Sequence, residues 1–294
     1  MIGEITAIMA SVCWTLSGNI CERKGSNYSA IAMNFTRQIV SFILIGLVLF
    51  LLEGTALASG LSAKGIVFLF LSGLIGFTLG DSFLMSAFVK IGAKTTLLIF
   101  SFSPVLAAIM GRIIFNERLS ILKIAGMFIV LSGIMIVIAN SSKNTESEEN
   151  IRFNLRGLIF AFLASVGQAL GVVLSKMGML EISPLLATEL RLIGALFGII
   201  ILCFVFKSWF DVKEIFFTDN GRLVLFGNAI IGTSMGVVFS MFAIKYTQSA
   251  IAATLMSLSP ILILPLLKFY YKEKIYGVEI FGAILSVIGV AFLV

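Results

Sequence analysis

An ionisable side chain inside a long apolar run costs about 2.5–3.5 kcal/mol at the centre of a bilayer on insertion scales. Charges placed where no packing rule asks for them are therefore the first candidates for chemistry. Asp81 stands between Gly80 and Ser82 in an otherwise apolar stretch. One reading makes it a protonation site or a partner for a cationic or amino group. The other makes it a structural ion pair or a helix-end carboxylate that reaches water. Desolvation disfavours the charged form of a lone carboxylate, and such an acid can load and release a proton as a coupled carrier requires. Asp81 is thus the candidate for proton coupling. Arg37 and Arg191 each lie about two turns inside an apolar stretch. They read either as structural arginines bonding backbone carbonyls between helices or as anion contacts. Glu189 is two residues from Arg191 and so lies on another helix face; its partner must be elsewhere.

Uncharged residues add to this set. Trp14 is too deep in its apolar stretch to be an interfacial anchor, and it reads as cavity lining. Gln168 and Asn228 are buried by sequence and could bond either a substrate or a neighbouring helix. Pro104, Pro260 and Pro265 interrupt apolar stretches, and proline removes a ladder donor and bends a helix. Ser72, Gly76 and Gly80 have the small-xxx-small spacing of tight helix contacts. Glu117 and Glu273 follow one apolar stretch and precede the next. They read as interfacial carboxylates favoured by the dipole of the following helix.

The elements that position these residues follow from composition. Of 294 residues, 59% are hydrophobic and 12% charged, against about 25% charged in a soluble domain. This excess of apolar surface asks for a lipid bilayer. The net charge of +6 sits mainly at the ends of apolar runs, as loop charge facing headgroups does, which argues against a nucleic-acid partner. The chain has no histidine, the commonest metal ligand and general base. Cys13, Cys21 and Cys203 form no CxxC, so no metal site, cofactor or disulfide framework is expected. With no H-E-x-x-H and no Walker motif, the sequence does not read as an enzyme or a pump driven by its own ATPase. The first apolar stretch lacks a basic flank and reads as a retained helix.

A spanning helix needs about 20 mostly apolar residues. The sequence predicts ten, near 3–22, 31–52, 65–88, 92–115, 121–140, 154–176, 183–207, 221–244, 248–271 and 275–294. Residues 141–153 are polar and read as a linker. A shift of 156 residues lays GFTLGDSFLMSA (76–87) on GTSMGVVFSMFA (232–243), SFSP (101–104) on SLSP (257–260), Glu117 on Glu273, Gly126 on Gly282 and Gly133 on Gly289. A shift of 154 lays ASV (10–12) on ASV (164–166) and Arg37 on Arg191. The expected fold is therefore all-α and integral to a membrane. It comprises a first five-helix repeat over 1–140, the linker 141–153 and a second repeat over 154–294. An odd number of helices per repeat inverts the second copy. Lysines and arginines are in excess on the side away from the termini, which favours termini outside.

The features that stand out are ASVCWTLSGN (10–19), Arg37 and the block SPVLAA (103–108), NERLS (116–120), Gly126 and Gly133, which the second half repeats as SPILIL (259–264), KEKIY (272–276), Gly282 and Gly289. On these features the chain resembles the drug/metabolite transporter superfamily, specifically its bacterial ten-helix EamA-like members, over essentially its whole length. Gln168 stands where the first copy has Trp14. The resemblance implies a secondary transporter of the cell membrane that moves a small polar or amphipathic metabolite, such as an amino acid, by alternating access in the direction of export. A proton-coupled importer of a small nutrient and a channel-like facilitator are the alternatives. It also implies a central cavity lined by helices one, three, four, six, eight and nine, with Trp14, Asp81, Ser101, Gln168, Asn228 and Ser257 near it. The expected partners are the bilayer, a small-molecule substrate and protons, and a monomer suffices.

Overall fold

In hydrocarbon every backbone amide must be satisfied within the protein, and a helix does this within one segment. A computed structural model shows the chain meeting that demand with helices; it describes residues 1–24, 28–53, 62–141, 154–179, 182–272 and 275–293. Among the described residues there is no strand. The linker beyond Ser141 and Glu273 lie outside the described residues.

The elements are α1 (Ile2–Lys24), α2 (Ala30–Glu53), α3 (Ala63–Gly73), a π-helical segment (Leu74–Gly80), α4 (Asp81–Phe100), α5 (Ser103–Phe115), α6 (Ile121–Ser141) and α7 (Leu155–Gly178), followed by α8 (Pro184–Val205), α9 (Trp209–Phe217), α10 (Asp219–Phe226), a second π-helical segment (Gly227–Met235), α11 (Gly236–Tyr246), α12 (Ser249–Met256), α13 (Ser259–Phe269) and α14 (Gly277–Leu293). Seven stretches among the described residues are long and apolar enough to cross a membrane, and Ser103–Phe115 and Gly277–Leu293 are shorter apolar helices. α1 adds 23 residues. This is a multi-pass integral membrane protein. Its outward side chains, such as Ile113, Phe128, Phe204 and Val287, are apolar and exposed, as a lipid-facing surface requires.

Three features differ from the sequence expectation. No non-helical residues separate the third and fourth predicted helices, because α4 runs on to Phe100. The chain nevertheless reverses there. Gly80 packs on Gly167 and Gly157 packs on Ile91, after which the Ile99 carbonyl accepts a hydrogen bond from Ser165 Oγ at 2.9 Å. Contact with α7 thus runs down that helix and then back up it.

Pro104 and Pro260, expected inside helices, stand instead in the first turns of α5 and α13. The missing N–H of proline costs nothing there. The breaks fall just before them, at 101–102 and 257–258, so both S-x-S-P motifs divide an apolar stretch into two helices. Pro265 does lie within a helix, α13.

The third feature is the pair of π-helical segments, which occupy corresponding places in the two repeats. Wider turns displace carbonyls from the regular ladder, and side chains from other helices reach them. Asn34 Nδ2 donates to the Phe77 carbonyl at 3.1 Å, and Trp14 Nε1 donates to the Gly232 carbonyl at 3.0 Å.

Small residues set the closest helix approaches. Gly133 would meet Ser286 and the Gly282 carbonyl if it carried a β-carbon, and Gly126 would meet the Gly289 carbonyl, so α6 and α14 pack backbone to backbone. Cys13 and Ser17 on α1 face Gly236 and Gly232, while Gly167 and Gly171 on α7 face Gly80 and Gly76. Under the sequence shifts these are the same contacts with the two halves of the chain exchanged.

Candidate functional site

Arg37 projects from α2 with its Nε donating to Asn34 Oδ1 at 2.8 Å. Gln38 Nε2 donates to the same oxygen at 2.8 Å. These bonds hold the guanidinium so that Nη2 meets Asp81 Oδ2 at 2.5 Å, each side chain about a quarter exposed (25% and 26%). Asp81 begins α4, where the π-helical segment ends. It is not a lone acid, and its charged form has the partner that the sequence left unassigned. The Asn34 bond to the Phe77 carbonyl ties the same cluster to the π segment.

Arg191 enters this cluster from α8 and is almost fully buried (5% exposed). Its guanidinium lies 4.3 Å from the centroid of the Phe77 ring. Its Nη1 reaches Met241 Sδ at 3.4 Å, a weak acceptor, and its Nε has no partner. The two arginines of the repeat therefore approach one segment: Arg37 pairs with Asp81, and Arg191 stacks on Phe77, whose carbonyl Asn34 holds. Glu189, two residues from Arg191, is buried at 9% exposure. Its Oε1 lies 3.0 Å from where a β-carbon of Gly46 would stand, and its Oε2 has no hydrogen-bond partner.

A second polar cluster joins α1 to the second π segment. Ser17 Oγ donates to Asn228 Oδ1 at 2.8 Å, and the Trp14 indole bonds Gly232 beside it. Trp14 therefore points into protein. Gln168, its counterpart, is half-buried, with its backbone nitrogen against Gly80, next to Asp81. Ser101 is buried in the break before α5. Ser257 ends α12, where its hydroxyl donates to the Ala253 carbonyl at 2.8 Å. At the second break, Ser11 and Ser259 hydroxyls meet at 3.3 Å.

The structure thus brings Arg37, Asp81 and Arg191 together, places Gln168 next to that group, and gathers Trp14 with Asn228. Asn34, Phe77 and Met241 complete the first cluster and were not legible. Asn34 is one helical turn before Arg37 and is the only one of the three whose sequence position signals a role.

Glu117 also differs from expectation. Its Oε1 accepts from Lys176 Nζ at 2.7 Å and from Ser249 Oγ at 3.1 Å, and its Oε2 accepts from the Ser249 backbone N–H at 3.0 Å. It therefore caps α12, in the other half of the chain, and not the helix that follows it. Lys176 Nζ bonds the Thr247 carbonyl at 2.7 Å as well. Gly111 makes room for the carboxylate, since a β-carbon there would stand 2.6 Å from Oε2. Apart from these clusters, an apolar groove of about 490 Å³ opens between α13 and α14, lined by Ile261, Leu264, Pro265, Ile284 and Val287 with Lys268 at its margin.

The profile of the EamA-like transporter family matches residues 1–139 and again 155–294. The chain belongs to that family. An uncharacterized transporter of Clostridium kluyveri is 30% identical over 138 residues. That match covers 46% of this chain and 42% of the relative. The chain thus spans less than half the length of the curated relative it matches. A protein of known crystal structure superposes with a TM-score of 0.75 over 99% of this chain and 96% of its own at 15% identity, which is a likeness of fold alone.

Proposed function

We propose that this EamA-family chain is a secondary transporter of the cell membrane. It moves a small polar or amphipathic metabolite by alternating access, in the direction of export. The reading takes the chain as two inverted five-helix units, 1–140 and 154–294, forming ten spans. Two observations support that arrangement. Contacts between α1 and the second π segment recur between α7 and the first with the halves exchanged. In addition, Glu117 at the end of α5, Lys176 near the end of α7, and Thr247 after α11 bond together, and Thr247 Oγ1 also bonds Glu4 near the start of α1 at 3.0 Å. Ten alternating spans put those four ends on one membrane face.

The observation that carries the functional reading is the grouping of the Arg37–Asp81 pair with the buried Arg191, from both halves of the chain, about the first π-helical segment. Charges inside a membrane protein mark pathways and sites, and binding between inverted repeats is where transporters hold their substrates. The helix breaks at the two S-x-S-P motifs fit the same design. A proton-coupled importer needs Asp81 to release Arg37 during each cycle. The test is release from liposomes loaded with a mixture of amino acids and organic acids. Saturable release of one class is expected. Release that rises linearly with concentration would reject a carrier in favour of a channel.

A further inference from the structure

The arginine cluster carries more charge than it neutralises. Arg37 and Arg191 are both cationic, since a guanidinium does not give up its proton in proteins. Among the described residues, Asp81 is the one carboxylate paired in this cluster, and it is engaged by Arg37 at 2.5 Å. Glu189 does not supply the missing charge, because its carboxyl is turned to Gly46 on α2. Lys176 and Lys245 are committed to other groups, the first to Glu117 and Thr247, the second to the Ile182 carbonyl at 2.9 Å. What Arg191 has instead is a ring face and a thioether. Neither is an anion, and its Nε donor is left without any acceptor.

A buried, under-bonded guanidinium beside a satisfied ion pair is a site waiting for a planar acceptor, the geometry for which arginine is suited. Gly76 and Gly171 pack on each other beside Nη2, where β-carbons would stand 3.6 and 3.7 Å from it, so a ligand must reach the guanidinium from the side of Arg37 and Asp81. The Arg37–Asp81 pair is a quarter exposed, which gives a ligand a way in past it.

Resting on the transporter reading above, we propose that Arg191 binds the carboxylate of a net-anionic organic acid, with the Phe77 ring and Met241 against its apolar part. The charge balance selects against a zwitterion. An ammonium group on the ligand needs an acid of its own, and Asp81 is already held by Arg37. It selects against a cation more strongly, because a second uncompensated positive charge enters a desolvated site.

The test uses the purified full chain in detergent and three probes on one carbon skeleton: propionate, alanine and propylammonium. Thermal unfolding is followed against sodium chloride at matched ionic strength. Propionate is expected to raise the midpoint in a saturating way, with no saturating shift from alanine or propylammonium. Arg191→Gln is expected to lose the shift. Arg191→Lys keeps the charge but not the planar fork, and it is expected to weaken the shift while remaining folded. An equal response to alanine, an equal response to chloride alone, no response to propionate, or a propionate shift that survives in Arg191→Lys undiminished each overturns the proposal. Saturable release from loaded liposomes alongside any of these outcomes leaves the transporter reading standing and removes only the anion site.

Discussion

Lys176 and Glu117 lie in opposite halves of the chain and meet at 2.7 Å, with side chains 20% and 10% exposed. The same carboxylate receives the backbone N–H of Ser249 at the start of α12. One acid thus closes an ion pair and caps a helix. In the sequence, the positions equivalent to Lys176 and Gly111 hold Glu22 and Leu267, an acid in place of the cation and a leucine in place of the glycine.

Removing one member of a buried pair costs about 3–5 kcal/mol, because the other is left uncompensated. Glu117→Gln and Lys176→Met should each lower the unfolding midpoint strongly in detergent. The charge swap Glu117→Lys with Lys176→Glu should recover only part of the loss. It restores the pair, but a lysine cannot accept from Ser249. Full recovery by the swap would mean that the cap contributes nothing.

The ion pair of Arg37 with Asp81 changes what Asp81→Asn should do. A lone acid could lose its titration without structural cost. A paired one leaves Arg37 without its counter-charge. Asp81→Asn should therefore destabilise the protein, and adding Arg37→Gln should restore part of the midpoint, since the two side chains are coupled. Additive losses in the double variant would show that the contact is not energetically significant.

Much of this architecture was legible because apolar runs and glycine positions carry it. The glycines that repeat at 126 and 282, and at 133 and 289, are the residues that bring α6 and α14 into backbone contact. The matching of Arg37 to Arg191 was readable from spacing. Their approach to the same π-helical segment, Arg37 at Asp81 and Arg191 at Phe77, was not, because no period in the sequence tells which faces of α2, α4 and α8 turn inward together. The π segments left no signal either. Their glycines fit an ordinary tight helix contact equally well, and only the carbonyls taken by Asn34 and Trp14 reveal the wider turns. The S-x-S-P motifs announced a break but not its side. Proline is cheap in a first turn, so the break moved to the residues before it.

Glycine substitutions separate contact from propensity. Exchanging Gly for Ala inside a helix gains about 1 kcal/mol when the new methyl meets nothing. Gly18 on α1 has nothing within 4 Å of its would-be β-carbon. Gly18→Ala should leave the midpoint unchanged or raise it. Gly133→Ala should lower it, because the methyl runs into the Gly282 carbonyl and Ser286 of α14. Equal effects at the two positions would contradict the close approach of α6 and α14.

The contact of Trp14 with Gly236 tests the exchanged packing directly. A β-carbon at Gly236 would stand 2.7 Å from Trp14 Nε1 and 2.8 Å from its Cδ1, whereas at Gly80 the nearest atom would be the Ile75 carbonyl at 3.2 Å. Gly236→Ala should therefore be the more damaging of the two, although the positions are equivalent in the repeat. Its cost should come from the indole, which cannot move away without giving up its bond to the Gly232 carbonyl. A buried carbonyl left without its donor costs about 1–3 kcal/mol. Trp14→Leu should by itself destabilise by that order, and Gly236→Ala added to it should cost much less than in the wild type. Gly80→Ala, which has no contact with the indole, should cost the same in both backgrounds. Midpoints measured for the three single and two double variants give the coupling. If Gly236→Ala is equally costly with and without Trp14, the indole is not what fills that space, and the packing of α1 against α11 must be redrawn.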